Sequence, residues 1–169
     1  MRKIARFEKV SVERFVKDYM DSFAVSKECA VEVYEGIKKP QRATVGSAGY
    51  DFYAPCDFTL APGETIKIPT GIRCYIHDGW VLQIFPRSGL GFKYRLQLNN
   101  TVGIIDSDYY GSDNEGHIFI KITNDSNENK IVSVKMGEGF AQGIFLEYGI
   151  CEDDDVCEIR NGGFGSTTK

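Results

Sequence analysis

Four short segments of this chain hold residue types that can do chemistry. Phe85-Pro86-Arg87-Ser88-Gly89-Leu90 follows an apolar run and puts a guanidinium, a hydroxyl and close backbone N–H groups on one turn. Such a set can hold a single anion; it equally describes a capped turn with a surface arginine. In Gly103-Ile104-Ile105-Asp106-Ser107-Asp108-Tyr109-Tyr110-Gly111, Asp106 follows two large apolar residues and is expected at the edge of a buried surface. A carboxylate there can take a proton from a positioned water. An Asx-turn closing a strand would account for one aspartate, but less well for two aspartates and two tyrosines. Gly139-Phe140-Ala141-Gln142-Gly143 carries a glutamine expected to be buried, whose amide needs partners from the protein or from a ligand. In the tail, Gly162-Gly163-Phe164-Gly165-Ser166-Thr167 sets one aromatic among glycines and hydroxyls. Phe164 can stack on a planar ligand and the hydroxyls can close on phosphate, yet by composition alone this is a disordered terminus.

Other chemistries find no support. The chain has no H-E-x-x-H, no G-x-x-x-x-G-K-[ST] and no G-x-S-x-G, and His77 and His117 stand isolated. Its net charge of −4 offers no basic excess for nucleic acid or an anionic membrane. A polyanionic ligand must therefore be held by a few placed donors or by a metal. The five cysteines are odd in number and form no C-x-x-C pair, which argues against a disulfide scaffold or a zinc ribbon and for a reducing compartment. The basic start MRKIARFEKV leads into no apolar run of signal-peptide length, and no stretch reaches the roughly 18 apolar residues of a membrane span. A cytoplasmic location is expected.

The elements that must position these segments are also legible. A chain of 169 residues suits one domain. Its eighteen glycines exceed the usual ~7% and imply many turns and tight backbone. Val12, Phe15, Val16, Tyr19, Met20 and Phe23 form a helical stripe over 12–23, with Ser11 as its N-cap. After Pro40 come short apolar runs at Ile66–Ile68, Ile72–Ile76, Trp80–Phe85, Leu96–Asn100, Ile118–Thr123, Ile131–Val134 and Gly143–Tyr148. Turn residues at 62–64, 77–79, 125–129 and 137–139 separate them, so the body is expected to be all-β, a sandwich or barrel.

In this order and spacing the segments resemble the five motifs of the trimeric deoxyuridine triphosphate nucleotidohydrolases (dUTPases). AGYDFYA at 48–54, PRSGL at 86–90, NNTVGIIDSDYYG at 99–111, GFAQ at 139–142 and GGFGST at 162–167 carry the resemblance. It implies a jelly-roll β domain over 31–158, a helical extension over 1–30, and a tail over 159–169 that closes over sites shared within a homotrimer. It also implies hydrolysis of dUTP to dUMP and pyrophosphate with Mg²⁺, keeping uracil out of DNA and supplying dUMP for thymidylate synthesis. The metal is held mainly by substrate phosphates and water, with no direct protein ligand. By the same resemblance Asp106 activates the water that attacks the α-phosphorus. Tyr109 packs on the deoxyribose and excludes a ribose 2′-hydroxyl. Asn100, Gly103 and Ile105 read uracil, and Arg87, Ser88, Gly89 and Gln142 hold the triphosphate. Phe164 stacks on uracil, Gly165, Ser166 and Thr167 contact the terminal phosphate, and Asp51 supports the site.

The chain departs from the family pattern at two arginines. The fourth motif usually reads G-[DE]-R-I-A-Q, and here Gly139 takes the arginine position. The fifth usually opens with an arginine where Ile159 stands, and Arg160 is expected to reach the phosphate in its place. Two other readings share the fold. A dCTP deaminase would need a glutamate near Lys121, in GHIFIKITN. A non-catalytic binding module would have lost Asp106, Arg87 or Phe164, all of which are present.

Overall fold

Side chains alternate across a strand, so an apolar run with polar residues at every second position commits one face to the interior. The strand Phe119–Asn124 does this: Ile120, Ile122 and Asn124 are buried while Lys121 is exposed. The computed structural model describes residues 2–158, Arg160 and Gly162. They are mostly β-structure with few helices. In chain order the elements are β1 (Ala5–Lys9), α1 (Val12–Ser22), α2 (Lys27–Gly36), β2 (Gln41–Arg42), β3 (Tyr50–Tyr53), β4 (Phe58–Leu60), β5 (Thr65–Pro69) and β6 (Ile72–Ile76). Then follow β7 (Trp80–Pro86), α3 (Ser88–Tyr94), β8 (Leu96–Leu98), β9 (Gly103–Ile105), a 3-10 turn (Ser107–Gly111), β10 (Phe119–Asn124), β11 (Val132–Val134) and β12 (Gly139–Glu147).

The strands form antiparallel sheets. The largest has the order β2-β3-β12-β7-β9; a second is β5-β10-β8, and β1-β6 and β4-β11 are two-stranded. Phe52, Leu82, Ile84, Ile68, Ile120, Ile122 and Phe140 fill the common core. Gly143, next to Gln142, serves this core: a Cβ there would lie 2.8 Å from Leu82 Cδ1 and 3.1 Å from Phe52. The glycine lets β12 approach β3 and β7 closely.

The N-terminal part is tied to the body at several points. Residues 5–9, which the sequence reading counts with the helical extension, form β1 and pair with β6 from Ala5↔Ile76 to Lys9↔Ile72. Phe7 of β1 packs on Tyr50, Phe52 and Phe145. Ser11 caps α1, its Oγ accepting from the Arg14 N–H at 3.1 Å. Phe15, Val16 and Tyr19 of α1 join Val10 and Ala30 in a small second core. Burying such side chains contributes roughly 1.5–3 kcal/mol each. Met20, on the expected stripe, is exposed instead. The helix α2, absent from the sequence expectation, closes this small core and buries only Ala30 completely.

Candidate active site

The proposed base-reading residues lie on the hairpin between β8 and β9 and on the 3-10 turn after it. The hairpin is tight: the Thr101 N–H donates to Leu98 O at 3.0 Å and the Val102 N–H to Asn100 O at 2.7 Å. Thr101 takes a left-handed φ of 67° to make the turn. Gly103 is needed where β9 crosses β7, since a Cβ there would lie 3.2 Å from Ile84 Cβ. The hairpin opens onto a pocket of about 720 Å³ lined by Asn100, Gly103, Ile105, Tyr109, Lys121 and Arg160. Its walls are largely apolar, with the amides of Asn99 and Asn100 and the three cations Lys67, Lys121 and Arg160 among its polar groups.

Tyr109 is the most constrained of these residues. It is 4% exposed. Its hydroxyl donates to His117 O at 2.7 Å and accepts from Asn114 Nδ2 at 2.8 Å. Burial pushes the phenol pKa up, against the hydrogen bond from Asn114, which lowers it. Asp106 and Asp108 flank the start of the 3-10 turn, and Arg160 joins them. Its Nη2 lies 2.5 Å from Asp106 Oδ2 and its Nε 2.9 Å from Asp108 Oδ1. The guanidinium also lies 5.9 Å from the centre of the Tyr109 ring. Arg160, expected at a terminal phosphate, thus stands beside the candidate base of its own chain.

The proposed phosphate-holding residues gather elsewhere. Arg87, Ser88 and Gly89, at the junction of β7 and α3, line a second pocket of about 610 Å³ with Asp51 and Gly139. Arg87 Nη2 lies 3.8 Å from Asp51 Oδ2, and its Nη1 donates weakly to Gly139 O at 3.5 Å. A Cβ at Gly139 would lie 3.4 Å from Arg87 Nη1, in ordinary van der Waals contact. The Arg87 side chain thus lies against the position where the family's fourth motif carries its arginine. Gln142 is half-buried rather than fully buried. It stands opposite Asp51 and Phe85 in the registers of β12, and its Nε2 donates to Pro86 O at 3.3 Å.

The two pockets have no lining residue in common. Phe164, Gly165, Ser166 and Thr167 lie outside the described residues. Sequence reasoning missed Asn114 and His117 behind Tyr109. It also missed Lys67, which pairs with Lys121 across β5 and β10 and lines the first pocket. The apolar runs Ile66–Ile68 and Ile118–Thr123 gave no reason to join the two lysines to a site.

Comparison with known proteins identifies the family. The family model for dUTPase matches residues 35–168. The deoxyuridine 5'-triphosphate nucleotidohydrolase of Lactococcus lactis is 44% identical over 135 residues, which cover 78% of this chain and 89% of the relative. The crystal structure of a dUTPase from Streptococcus mutans superposes with a TM-score of 0.60 at 36% identity, covering 70% of this chain and 91% of that one. A mutant dUTPase from phage phi11 of S. aureus, whose structure shows the coordination of a structural Mg(II) ion, has the same fold. Its TM-score is 0.63 at 19% identity, over 92% of this chain and 98% of that chain. The matched span runs through both pockets, and on these grounds the chain belongs to the dUTPase family.

Proposed function

We propose that this chain hydrolyses dUTP to dUMP and pyrophosphate at sites assembled between the subunits of a homotrimer with a jelly-roll body. The separation of the two pockets carries this reading. One chain presents a base-and-sugar pocket beside Asp106 and a phosphate-holding pocket beside Arg87, with no residue lining both. A triphosphate esterified to a deoxyribose needs both, and a neighbouring copy supplies the second.

In this arrangement Asn100 and the backbone at Gly103 and Ile105 hydrogen-bond uracil, and the Tyr109 ring packs on the deoxyribose where a 2′-hydroxyl would clash. Asp106 takes the proton of a water that attacks the α-phosphorus in line, and pyrophosphate leaves. Arg87, Ser88, Gly89 and Gln142 hold the phosphates, with the first-turn N–H groups of α3 oriented toward their charge. Asp51 supports the site from beside the Arg87 guanidinium, which it faces at 3.8 Å. Arg160 exchanges its carboxylate partners for phosphate oxygens as the tail over 159–169 closes. Phe164 then covers uracil, and Gly165, Ser166 and Thr167 meet the terminal phosphate.

The donors present fit a Mg²⁺ ion that arrives on the substrate. Among the described residues no three His, Cys, Asp or Glu side chains converge on one point. Mg²⁺ retains several waters and binds phosphates readily. Asp51, beside the phosphate-holding loop, is placed to accept from such waters. The ion would supply charge neutralisation on the triphosphate, which otherwise repels the Asp106 carboxylate.

Deamination is the weaker reading, because Lys121 lines the base pocket where a proton-shuttling carboxylate would be required. A panel of dUTP, UTP, dCTP and dTTP with pyrophosphate detection tests the proposal. Pyrophosphate is expected from dUTP far above the others, and equal cleavage of UTP would remove Tyr109 from its role. Asp106→Asn is expected to bind dUTP and lose about 10²–10⁴-fold in turnover; near-normal turnover would dismiss Asp106 as the base.

A further inference from the structure

The helix α1 carries a buried acid. Asp18 is 7% exposed and points into the body rather than to water. Its Oδ2 accepts from His117 Nδ1 at 2.6 Å and from Arg14 Nε at 3.0 Å. The tautomer of His117 follows from its other nitrogen: Nε2 accepts the Gly71 N–H at 2.8 Å, so Nδ1 carries the proton and donates to Asp18. Gly71 is required there, at φ +71°, since a Cβ would come within 2.3 Å of Ile37 Cδ1 and 3.1 Å of Phe15. His117 is completely buried, and both of its ring nitrogens are bound.

A second tether runs from the same helix to the same loop. The Ser11 N–H and Oγ–H donate to the two carboxylate oxygens of Glu115 at 2.8 and 2.6 Å. Glu115 and Gly116 both hold positive φ, 60° and 69°. A Cβ at Gly116 would lie 2.7 Å from Tyr109 O, so this loop presses on the backbone of the tyrosine. The tethers end on the His117 ring and the Glu115 carboxylate, and the Tyr109 hydroxyl is held by the backbone oxygen of the same His117 and by the side chain of Asn114, the residue before Glu115. The loop 112–117 is thus gripped by α1 on one side and grips Tyr109 on the other.

We propose that Asp18 and Glu115 are positioning residues for Tyr109: through them α1 fixes the depth of the ring that separates deoxyribose from ribose. This rests on the assignment of Tyr109 to the sugar. A hydroxyl held from two directions leaves the ring one position, and a 2′-hydroxyl is rejected only if the ring cannot retreat. Release of the loop gives the ring room to move back, which admits ribose and loosens deoxyribose together.

The ratio of kcat/KM for dUTP to that for UTP tests this, with KM and kcat recorded separately. Asp18→Ala is expected to lower the ratio about tenfold, through a higher KM for dUTP and a gain on UTP. Asp18→Asn keeps an acceptor for His117 Nδ1–H and is expected to restore the ratio to within about twofold of the starting protein. Val16→Ala loosens the same helix without touching either tether; it should lower the melting temperature and leave the ratio unchanged. If Asp18→Ala does not fold, Glu115→Gly decides: it cuts the Ser11 tether, suits the positive φ, and should lower the ratio about threefold. Unchanged ratios in the tether variants, or an equal loss in Val16→Ala, overturn the proposal. Tyr109→Ala separates this failure from that of the sugar assignment. If it erases the preference for dUTP while the tether variants keep it, only the tether is wrong. If it leaves the preference intact, the sugar assignment is wrong as well.

Discussion

The two pockets are built in opposite ways. Around Tyr109 the protein has satisfied its own polar groups: the hydroxyl has a donor and an acceptor, the loop behind it is tied to α1, and the ring is buried. Around Arg87 little is fixed. The Arg87 side chain is 48% exposed, its nearest carboxylate oxygen is 3.8 Å away, and Ser88 and Gly89 are open to solvent. The contrast matches what each half has to do in the proposed arrangement. Rejecting one hydroxyl on a sugar requires a wall that does not yield, and rigidity there must come from the fold. Holding three phosphates requires charge that can be redirected as the leaving group departs. Strong electrostatic attraction tolerates looser geometry until the ligand sets it.

If that contrast is right, lesions in the two halves differ in kind. The largest effect belongs to the open half: Arg87→Ala should cost about 10²–10³-fold in kcat/KM while leaving the melting temperature nearly unchanged. A large drop in melting temperature would mean that Arg87 is a structural residue and would break the comparison. Next comes the closed half. Tyr109→Phe leaves His117 O and Asn114 Nδ2 without their partner and should cost about 1–3 kcal/mol in denaturant unfolding; an unaltered midpoint would show that the wall is not rigid. The smallest effect sharpens the comparison by pH. Burial, the largest influence on His117, lowers its pKa below 6.5, against the hydrogen bond it donates to Asp18, which raises it. The unfolded chain therefore binds a proton that the folded one refuses, so stability is full above about pH 6.5 and declines as pH falls toward the folded value. The melting temperature should fall modestly between pH 7.5 and 5, and less in His117→Asn. An identical fall in the variant would assign the pH dependence to other groups.

What the sequence revealed, and what it hid, follows from the range of the interactions involved. The five motifs could be read because each is local: Pro86–Leu90 or Asn99–Gly111 carries its turn, its bare backbone and its functional side chain within a few residues. The α1 stripe could be read for the same reason. The helices α2 and α3 were hidden. The first has little amphipathic contrast and buries one alanine; the second, SGLGFKY, contains two glycines that disfavour helix, and its context holds it in place. The strand β1 was hidden because it carries charged residues at Arg6, Glu8 and Lys9 and takes its pairing from β6, more than 60 residues away. His117 looked isolated because Asp18 is 99 positions distant. The glycine excess did not say which neighbour each bare position serves. Gly143 and Gly103 make room for neighbouring side chains of the core, whereas Gly139 lies in ordinary contact with the Arg87 side chain. A bare backbone position does not announce whether it waits for a ligand or for a neighbour.

The disjoint linings of the two pockets reach beyond chemistry into inheritance. Where a site draws its base from one chain and its phosphate grip from another, two defective alleles are not equivalent to one allele with both defects. In the proposed homotrimer, chains lacking Asp106 and chains lacking Arg87, made in the same cell, would assemble into mixed trimers in which some sites receive an intact contribution from each side. Such alleles would complement one another. A chain lacking one of the two groups would spoil one site, whereas a chain lacking both would spoil two, so only the doubly defective allele would do harm beyond its share of the protein produced.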